Sequence, residues 1–193
     1  MRHWLFSPYA FYPLATILAV SVILLSMDPF GFRREPEMQA GRIDQGVIVL
    51  EGAAFDAPES SPDQVIHVRR EDFGRAVALR VAVLPGQPPP SAAEPGARIL
   101  LTPETAALLS DRPVQVRVAY ASLPTNPASA LAVSLQGAGP AGWVIQDLPI
   151  GEGQAAFELE PQAAVNAIGL RAIGSHTDFN SGIEIQRIEV TPK

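Results

Sequence analysis

Cysteine is absent from the 193-residue chain, which excludes disulfides, thiolate metal sites, iron–sulfur clusters and cysteine nucleophiles together. Lysine is nearly absent too, since the 14 basic residues are all arginine except Lys193. They are scattered apart from the pairs Arg33–Arg34 and Arg69–Arg70, and the net charge is −6. A nucleic-acid binder needs a basic face that neutralises phosphates. The sequence therefore disfavours nucleic acid as a partner.

Charge is missing from Trp4 to Met27, and aromatic residues gather at both ends of this stretch like two interfacial belts. A bilayer core about 30 Å thick needs about 20 helical residues. The stretch therefore predicts one transmembrane helix in residues 1–27, with the lipid bilayer as a partner. The apolar residues that we expect to span the membrane are Leu14, Ile17, Leu18, Val20, Val22, Ile23, Leu24 and Leu25.

A cleaved signal peptide is the alternative interpretation of this segment. Such peptides end in a small-x-small site, whereas acidic, proline and bulky residues follow Met27. Orientation is also open to two interpretations: the positive-inside rule places Arg33, Arg34 and Arg42 in the cytoplasm, but long domains translocate largely regardless of charge. We expect a single-pass protein of the inner membrane with a periplasmic C-terminal domain.

Residues 28–44 are rich in proline, glycine and mixed charge and are predicted to be a linker to one domain, residues 45–193. Within that domain, about nine short apolar runs recur at roughly 10–15-residue spacing without a long amphipathic helix between them. This pattern predicts an all-β fold of antiparallel sheets packed as a sandwich. The runs are 46–52, 76–83, 97–101, 114–121, 130–137, 143–148, 154–160, 167–174 and 182–190.

Four local features refine this prediction. The step from Ile185 to Ile188 in the last run implies a bulge or twist between Gln186 and Arg187. Residues 102–110 (TPETAALLS) predict a short helix with Thr102 as its cap. Residues 86–96 form a proline-rich loop. The polar run 67–75 (HVRREDFGR) is interpreted as a solvated connection between strands, with a docking patch as the alternative.

The C-terminal sequence FELEPQAAVNAIGLRAIGSHTDFNSGIEIQRIEVTP resembles the last strands of galactose-binding-domain-like jelly rolls, the fold of many carbohydrate-binding modules. In those proteins a penultimate strand, here Ala167–Ala172, leads through a loop to a closing strand of alternating isoleucines, here Gly182–Val190. The resemblance implies a jelly-roll-like sandwich. Sugar-binding members usually present several aromatic residues, whereas this domain has Trp143 and Tyr120 beyond its phenylalanines.

Trp143 and Tyr120 are therefore the candidate ligand-binding residues. An exposed indole can cover the apolar face of a sugar ring, but a tryptophan that opens a strand can equally close the end of the core. Catalytic residues are not predicted: no G-x-S-x-G motif exists, and Ser175, His176 and Asp178 are neighbours in a loop, which is not the geometry of a catalytic triad.

Asp178, Asn180 and Glu184 are the candidate metal ligands. The resemblance implies a structural calcium ion near the terminal strands, and carboxylate and amide oxygens suit that ion. The alternative is an ordinary turn, in which Asp, Asn, Ser and Gly supply local hydrogen bonds. No other cofactor is expected.

Two functions of different class stay open. The first is a non-enzymatic accessory protein of the bacterial cell envelope that binds another membrane or periplasmic protein, because tethering raises the effective concentration of a weak partner. The second is a carbohydrate-binding module that recognises an envelope polysaccharide. In neither case do we expect an enzyme.

Overall fold

A computed structural model of the chain describes residues 8–27, 41–71, 74–174 and 178–193. It divides into two compact units, Met1–Glu37 and Met38–Lys193. The first contains helix α1 (Pro8–Met27). Across the described residues, no helix combines the length and the hydropathy that a bilayer crossing requires. The predicted spanning segment from Leu14 to Leu25 is therefore not supported, although its helical conformation is confirmed.

The second unit is an all-β domain with one short α-helix. Its described residues form eleven strands, against about nine predicted. They are β1 (Arg42–Asp44), β2 (Val47–Leu50), β3 (Gln64–Glu71), β4 (Arg75–Val83), β5 (Ala97–Leu100), β6 (Val114–Ser122), β7 (Ala130–Gln136), β8 (Val144–Asp147), β9 (Glu152–Leu159), β10 (Ala167–Ile173) and β11 (Ser181–Pro192).

These strands form two sheets in which every pairing is antiparallel. In the seven-stranded sheet, β11 pairs with β6 along one edge and with β4 and then β2 along the other. The smaller sheet has the order β5-β10-β7-β8. The register of β11 against β6 shifts between Ile185 and Arg187, which confirms the predicted bulge. The predicted antiparallel sandwich is confirmed.

A single hydrophobic core lies between the sheets, and strand alternation explains it. In β6, Val114, Val116 and Val118 are fully buried, while Gln115 and Arg117 point away. In β10, Leu170 and Ala172 belong to the same core. Because successive side chains of a strand point to opposite faces, Arg171 must lie on the outer face of the smaller sheet.

Two local predictions have opposite outcomes. Helix α2 (Pro103–Leu109) is capped by Thr102, whose hydroxyl accepts a hydrogen bond from the Thr105 amide, so the predicted cap is confirmed. The interpretation of residues 67–75 as a connection is wrong, because β3 extends to Glu71 and pairs with β4. Its inward residues Ile66 and Val68 pack on the core, whereas Arg69 pairs with Glu184 of β11 and Arg70 pairs with Asp56.

Candidate ligand-binding site

Trp143 lies immediately before β8, at the end of a loop of small residues (137–142, sequence GAGPAG) that follows β7. Its indole Nε1 donates a hydrogen bond to the Ser91 carbonyl oxygen at 3.0 Å. The six-membered ring packs against Gly96, where an added Cβ would come within 2.8 Å of Trp143 Cη2. The side chain is partly exposed. The orientation of the indole is thus fixed, and the side chain is not buried in the core.

An open pocket of about 200 Å³, here called the Trp143 pocket, has Trp143 among its lining residues. Its floor is apolar because it is the mouth of the core between the two sheets. Polar groups at its rim come from Glu160 and Gln162, which follow β9. The lining residues are Leu135, Gly142, Trp143, Val144, Leu159, Glu160 and Gln162. Such a combination of apolar surface with a few polar groups is typical of a small-molecule site.

The small-residue loop is held in place by the segment that connects β9 to β10. The Ala138 amide donates to the Ala163 carbonyl at 3.2 Å. A Cβ at Gly137 would lie only 2.3 Å from that same oxygen, and one at Gly139 would lie 2.8 Å from Gln162 Nε2. Glycine is therefore required at position 137, and the close approach fixes the pocket wall.

The proline-rich loop between β4 and β5 supports the other side of Trp143. We call residues 85–96 the strap. Gln136 Nε2 donates to the Pro95 carbonyl, and the Ala141 amide donates to Ala92 at 3.0 Å. These bonds bind the strap to the smaller sheet and to the small-residue loop, so that the Ser91 carbonyl is positioned to hold the indole.

Arg171 holds the strap against the outer face of the smaller sheet. Its side chain is 1% exposed, and its guanidinium pairs with Asp63 at 2.6 Å and with Glu94 of the strap. Nη2 also donates to the Pro88 carbonyl at 3.0 Å. A buried guanidinium is costly unless it is paired and hydrogen-bonded. This network has no local sequence signature, because its members are far apart along the chain.

Tyr120 does not share the site with Trp143. It is 3% exposed within the core, and its hydroxyl donates to the Pro149 carbonyl at 3.2 Å. A ring in this position has no face free for a sugar, so the prediction that Tyr120 binds a ligand is corrected to a structural role. The Trp143 pocket contains two polar residues, Glu160 and Gln162, that sequence reasoning did not select.

One of the three predicted calcium ligands, Glu184, is already paired with arginine side chains. Glu184 is largely buried on β11, where its carboxylate pairs with Arg80 at 2.7 Å and Arg69 at 3.2 Å. Two guanidinium groups satisfy this carboxylate. The structure therefore assigns Glu184 to an ion-pair network, which replaces its predicted role as a metal ligand. Asp178 and Asn180 are exposed. No group of three or more His, Cys, Asp or Glu side chains suited to a metal occurs among the described residues.

The described residues also give little support to acid–base chemistry. Ser175 and His176 lie outside them, as does His3, while His67 is exposed on β3. Hydrogen bonds from Lys193 and Gln115 hold the pKa of the exposed Glu158 carboxyl below its ordinary value. A lowered pKa is the opposite of what a general acid needs at neutral pH.

Comparison with known proteins finds similarity in structure alone. No protein-family model matches the chain, and no curated protein matches its sequence. A module described as CBM1 of BiXyn10A, without ligand, aligns at 10% identity over 75% of this chain and 95% of that chain, with a TM-score of 0.46. The C-terminal CBM6 of LamC from Zobellia galactanivorans aligns at 12% identity over 75% and 98%, with a TM-score of 0.42.

A carbohydrate-binding module from Cellvibrio mixtus lichenase 5A, in complex with cellotriose, is similar at 12% identity over 75% of this chain and 96% of that chain, with a TM-score of 0.42. These similar structures are carbohydrate-binding modules, the class to which the sequence resemblance pointed.

Proposed function

We propose that the β-domain is a non-enzymatic carbohydrate-binding module in which a sugar ring stacks on Trp143. The observation that carries the proposal is the partly exposed indole, held by Ser91 and Gly96 at the edge of an open pocket. The C–H face of a pyranose is apolar and its edges carry hydroxyls. The indole of Trp143 offers a counterpart to the apolar face, and Glu160 and Gln162 of the Trp143 pocket offer polar groups for the hydroxyls.

Preorganisation supports this assignment. Binding costs side-chain entropy unless the binding group is already held in its bound orientation. The strap and the small-residue loop fix the orientation of the indole through contacts within the domain, so little side-chain ordering is left for binding. The pocket is lined by a single carboxylate, Glu160, whereas glycoside hydrolysis ordinarily uses two carboxyl groups that flank the scissile bond. Binding without cleavage is the activity that this lining supports.

The test is binding of the full-length protein to a panel of cellotriose, laminaritriose, xylotriose and peptidoglycan disaccharide. Trp143→Ala should weaken binding at least tenfold, which is about 1.4 kcal/mol, and Trp143→Phe should weaken it less because a smaller aromatic face remains. Tyr120→Phe is the matched control, because it changes a buried aromatic and should leave affinity unchanged. Binding that survives Trp143→Ala unaltered, or an absence of binding across the panel, would overturn the proposal.

We further propose a cell-envelope location, with the N-terminal segment attached to the membrane surface or to a membrane protein and the β-domain in the periplasm. The support is the uncharged stretch from Trp4 to Met27 and the exposure of apolar side chains such as Leu14, Ile17 and Leu18, each more than 60% exposed. Fractionation of cells tests it: the full chain should sediment with membranes. Recovery in the soluble fraction would contradict it.

An accessory role in binding another envelope protein is the second candidate, and Ile150 favours it. This side chain is 86% exposed at the turn between β8 and β9. The turn is rigid, because Ser122 and Gly151 exchange hydrogen bonds of 2.9 and 3.0 Å. Ile150→Glu should abolish co-purification of a partner from mild detergent, with Ile150→Val as the control. Equal recovery of partners with both variants would remove this candidate.

A further inference from the structure

Two large apolar side chains are exposed at the end of the sandwich where β11 begins. Ile150 is 86% exposed in the turn between β8 and β9, and Phe179 is 60% exposed in the segment that leads into β11. Single exposed apolar residues are common on protein surfaces, whereas a group of them marks an interaction site. We call this region the Ile150 end, and it consists of residues 123–129, 147–152 and 178–180.

The two side chains are close enough to contact one partner. Gly151 and Ser122 exchange hydrogen bonds across one strand spacing, and Ser122 lies opposite Ile183 across the next. Each spacing is about 4.8 Å, and the four residues from Phe179 to Ile183 span at most about 14 Å. The Cα atoms of Ile150 and Phe179 are therefore at most about 30 Å apart. A standard interface, which buries about 800 Å² on each partner, has about this breadth.

The Ile150 end is built on a fixed frame. The connection between β6 and β7 is bonded to β11, because the Gly182 amide donates to the Asn126 carbonyl at 3.0 Å. It is also bonded to the turn that carries Ile150, because the Leu148 amide donates to the Ser129 carbonyl at 2.9 Å. A partner that docks on this turn would restrict little backbone motion, so little of the binding free energy would be lost to ordering.

The charge of the Ile150 end selects among partners. Its three segments contain the exposed carboxylates Asp147, Glu152 and Asp178 and no arginine or lysine. Anionic lipid headgroups would be repelled by these carboxylates. A second copy docked here about a twofold axis would place carboxylates against carboxylates, because such a contact joins the same surface of both copies. A partner that carries basic residues beside its apolar ones complements both features.

We propose that the Ile150 end binds a protein segment that combines apolar side chains with lysine and arginine. The Trp143 pocket lies at the other end of β9, since this strand begins at Glu152 and ends at Leu159, which lines the pocket. At about 3.4 Å per residue, the two surfaces are separated by about 25 Å, so both can be occupied at once. The inference goes beyond sugar binding and rests on the accessory role, whose partner it specifies.

Selection of random dodecapeptides displayed on phage tests this proposal, with the full-length protein as the target and the Ile150→Ser variant for counter-selection. Counter-selection keeps the peptides that need Ile150, so their charge and their dependence on Phe179 are independent readouts. The enriched peptides should combine apolar residues with an excess of lysine and arginine. Phe179→Ser should lower their affinity about tenfold, because it removes an apolar anchor. Asp147→Asn combined with Glu152→Gln should lower it about threefold.

Leu108→Ser is the matched control, because it removes an apolar side chain that is 40% exposed on α2. Neither this variant nor Trp143→Ala should change the peptide affinity. Failure to enrich any peptide, enrichment of neutral or acidic peptides, or an affinity unaltered by Phe179→Ser would overturn the inference. Binding to phosphatidylglycerol vesicles or self-association that Ile150→Ser abolishes would also overturn it, by assigning this end to lipid or to a second copy. Each of these results leaves the sugar-binding proposal standing, since saccharide titration of Trp143→Ala tests that separately.

Discussion

Replacing Arg171 with methionine should destabilise the β-domain and release the strap. Methionine keeps much of the side-chain volume but leaves Asp63 and Glu94 without their shared cation, and the Pro88 carbonyl without its donor. The change is confined to the outer face of the smaller sheet, where Arg171 is 1% exposed. Packing between the sheets, to which Leu170 and Ala172 contribute, should remain intact.

The size of the effect follows from the exposure of the two carboxylates. Removing one partner of a fully buried ion pair costs about 3–5 kcal/mol. Asp63 is 19% exposed and Glu94 is 37% exposed, so solvent screens both, Glu94 most of all, and both regain part of their hydration. We therefore expect a loss of about 2–3 kcal/mol. Against a typical total stability of about 5–15 kcal/mol, this is a large fraction.

Urea unfolding followed by circular dichroism measures this loss. With a slope of about 1–3 kcal/mol per molar urea, the midpoint should fall by roughly 1 M or more. Hydrogen exchange should also accelerate at the amides of Glu94 and Ala141, whose acceptors are Ser91 and Ala92 of the strap. Glu94→Gln is the control and should cost less than about 1 kcal/mol, because Asp63 still pairs with Arg171. A midpoint unchanged in Arg171→Met would refute the reasoning.

Two further predictions concern other parts of the domain. Gly137→Ala should lower the free energy of unfolding in urea by about 1–3 kcal/mol, because its Cβ would lie 2.3 Å from the Ala163 carbonyl oxygen. Gly142→Ala is the control and should be near neutral, because its Cβ would meet nothing within 4 Å. Equal effects of the two variants would contradict this prediction. The lowered pKa of Glu158 implies a stabilising contribution that is present above its ordinary value of 4.5 and lost as the pH falls through the folded-state pKa. Lys193→Ala removes the largest cause, so an NMR titration should show the Glu158 pKa rising; no change would argue against the Lys193 bond.

Much of the fold could be predicted from residue alternation, which is a local signal. The run 114–121 alternates as a half-buried strand should, and β6 (Val114–Ser122) lies there. The break in alternation after Ile185 located the bulge, because an extra residue must shift one strand against its neighbour. Strand β3 was missed because the charged residues Arg69, Arg70 and Glu71 interrupt its alternating pattern.

The candidate site could be predicted only in part. Trp143 is conspicuous in the sequence, as a single tryptophan after a glycine-rich loop. Whether its ring is exposed depends on Ser91 and Gly96, which are about 50 positions away and are placed by the strap. Tyr120 looked equivalent in sequence and is buried, because alternation within β6 puts it on the core side with Val118. Such long-range packing leaves no local pattern.

Tryptophan fluorescence of the full-length protein carrying Trp4→Phe tests the central claim most directly. The chain has two tryptophans, so this variant reports on Trp143 alone. Stacking of a sugar ring on the indole should shift and change its emission in a saturable way as a saccharide that the protein binds is added. The affinity from fluorescence should match the affinity that isothermal titration calorimetry measures for the same saccharide. Saturable calorimetric binding that leaves the Trp143 emission unchanged would show that the sugar binds elsewhere.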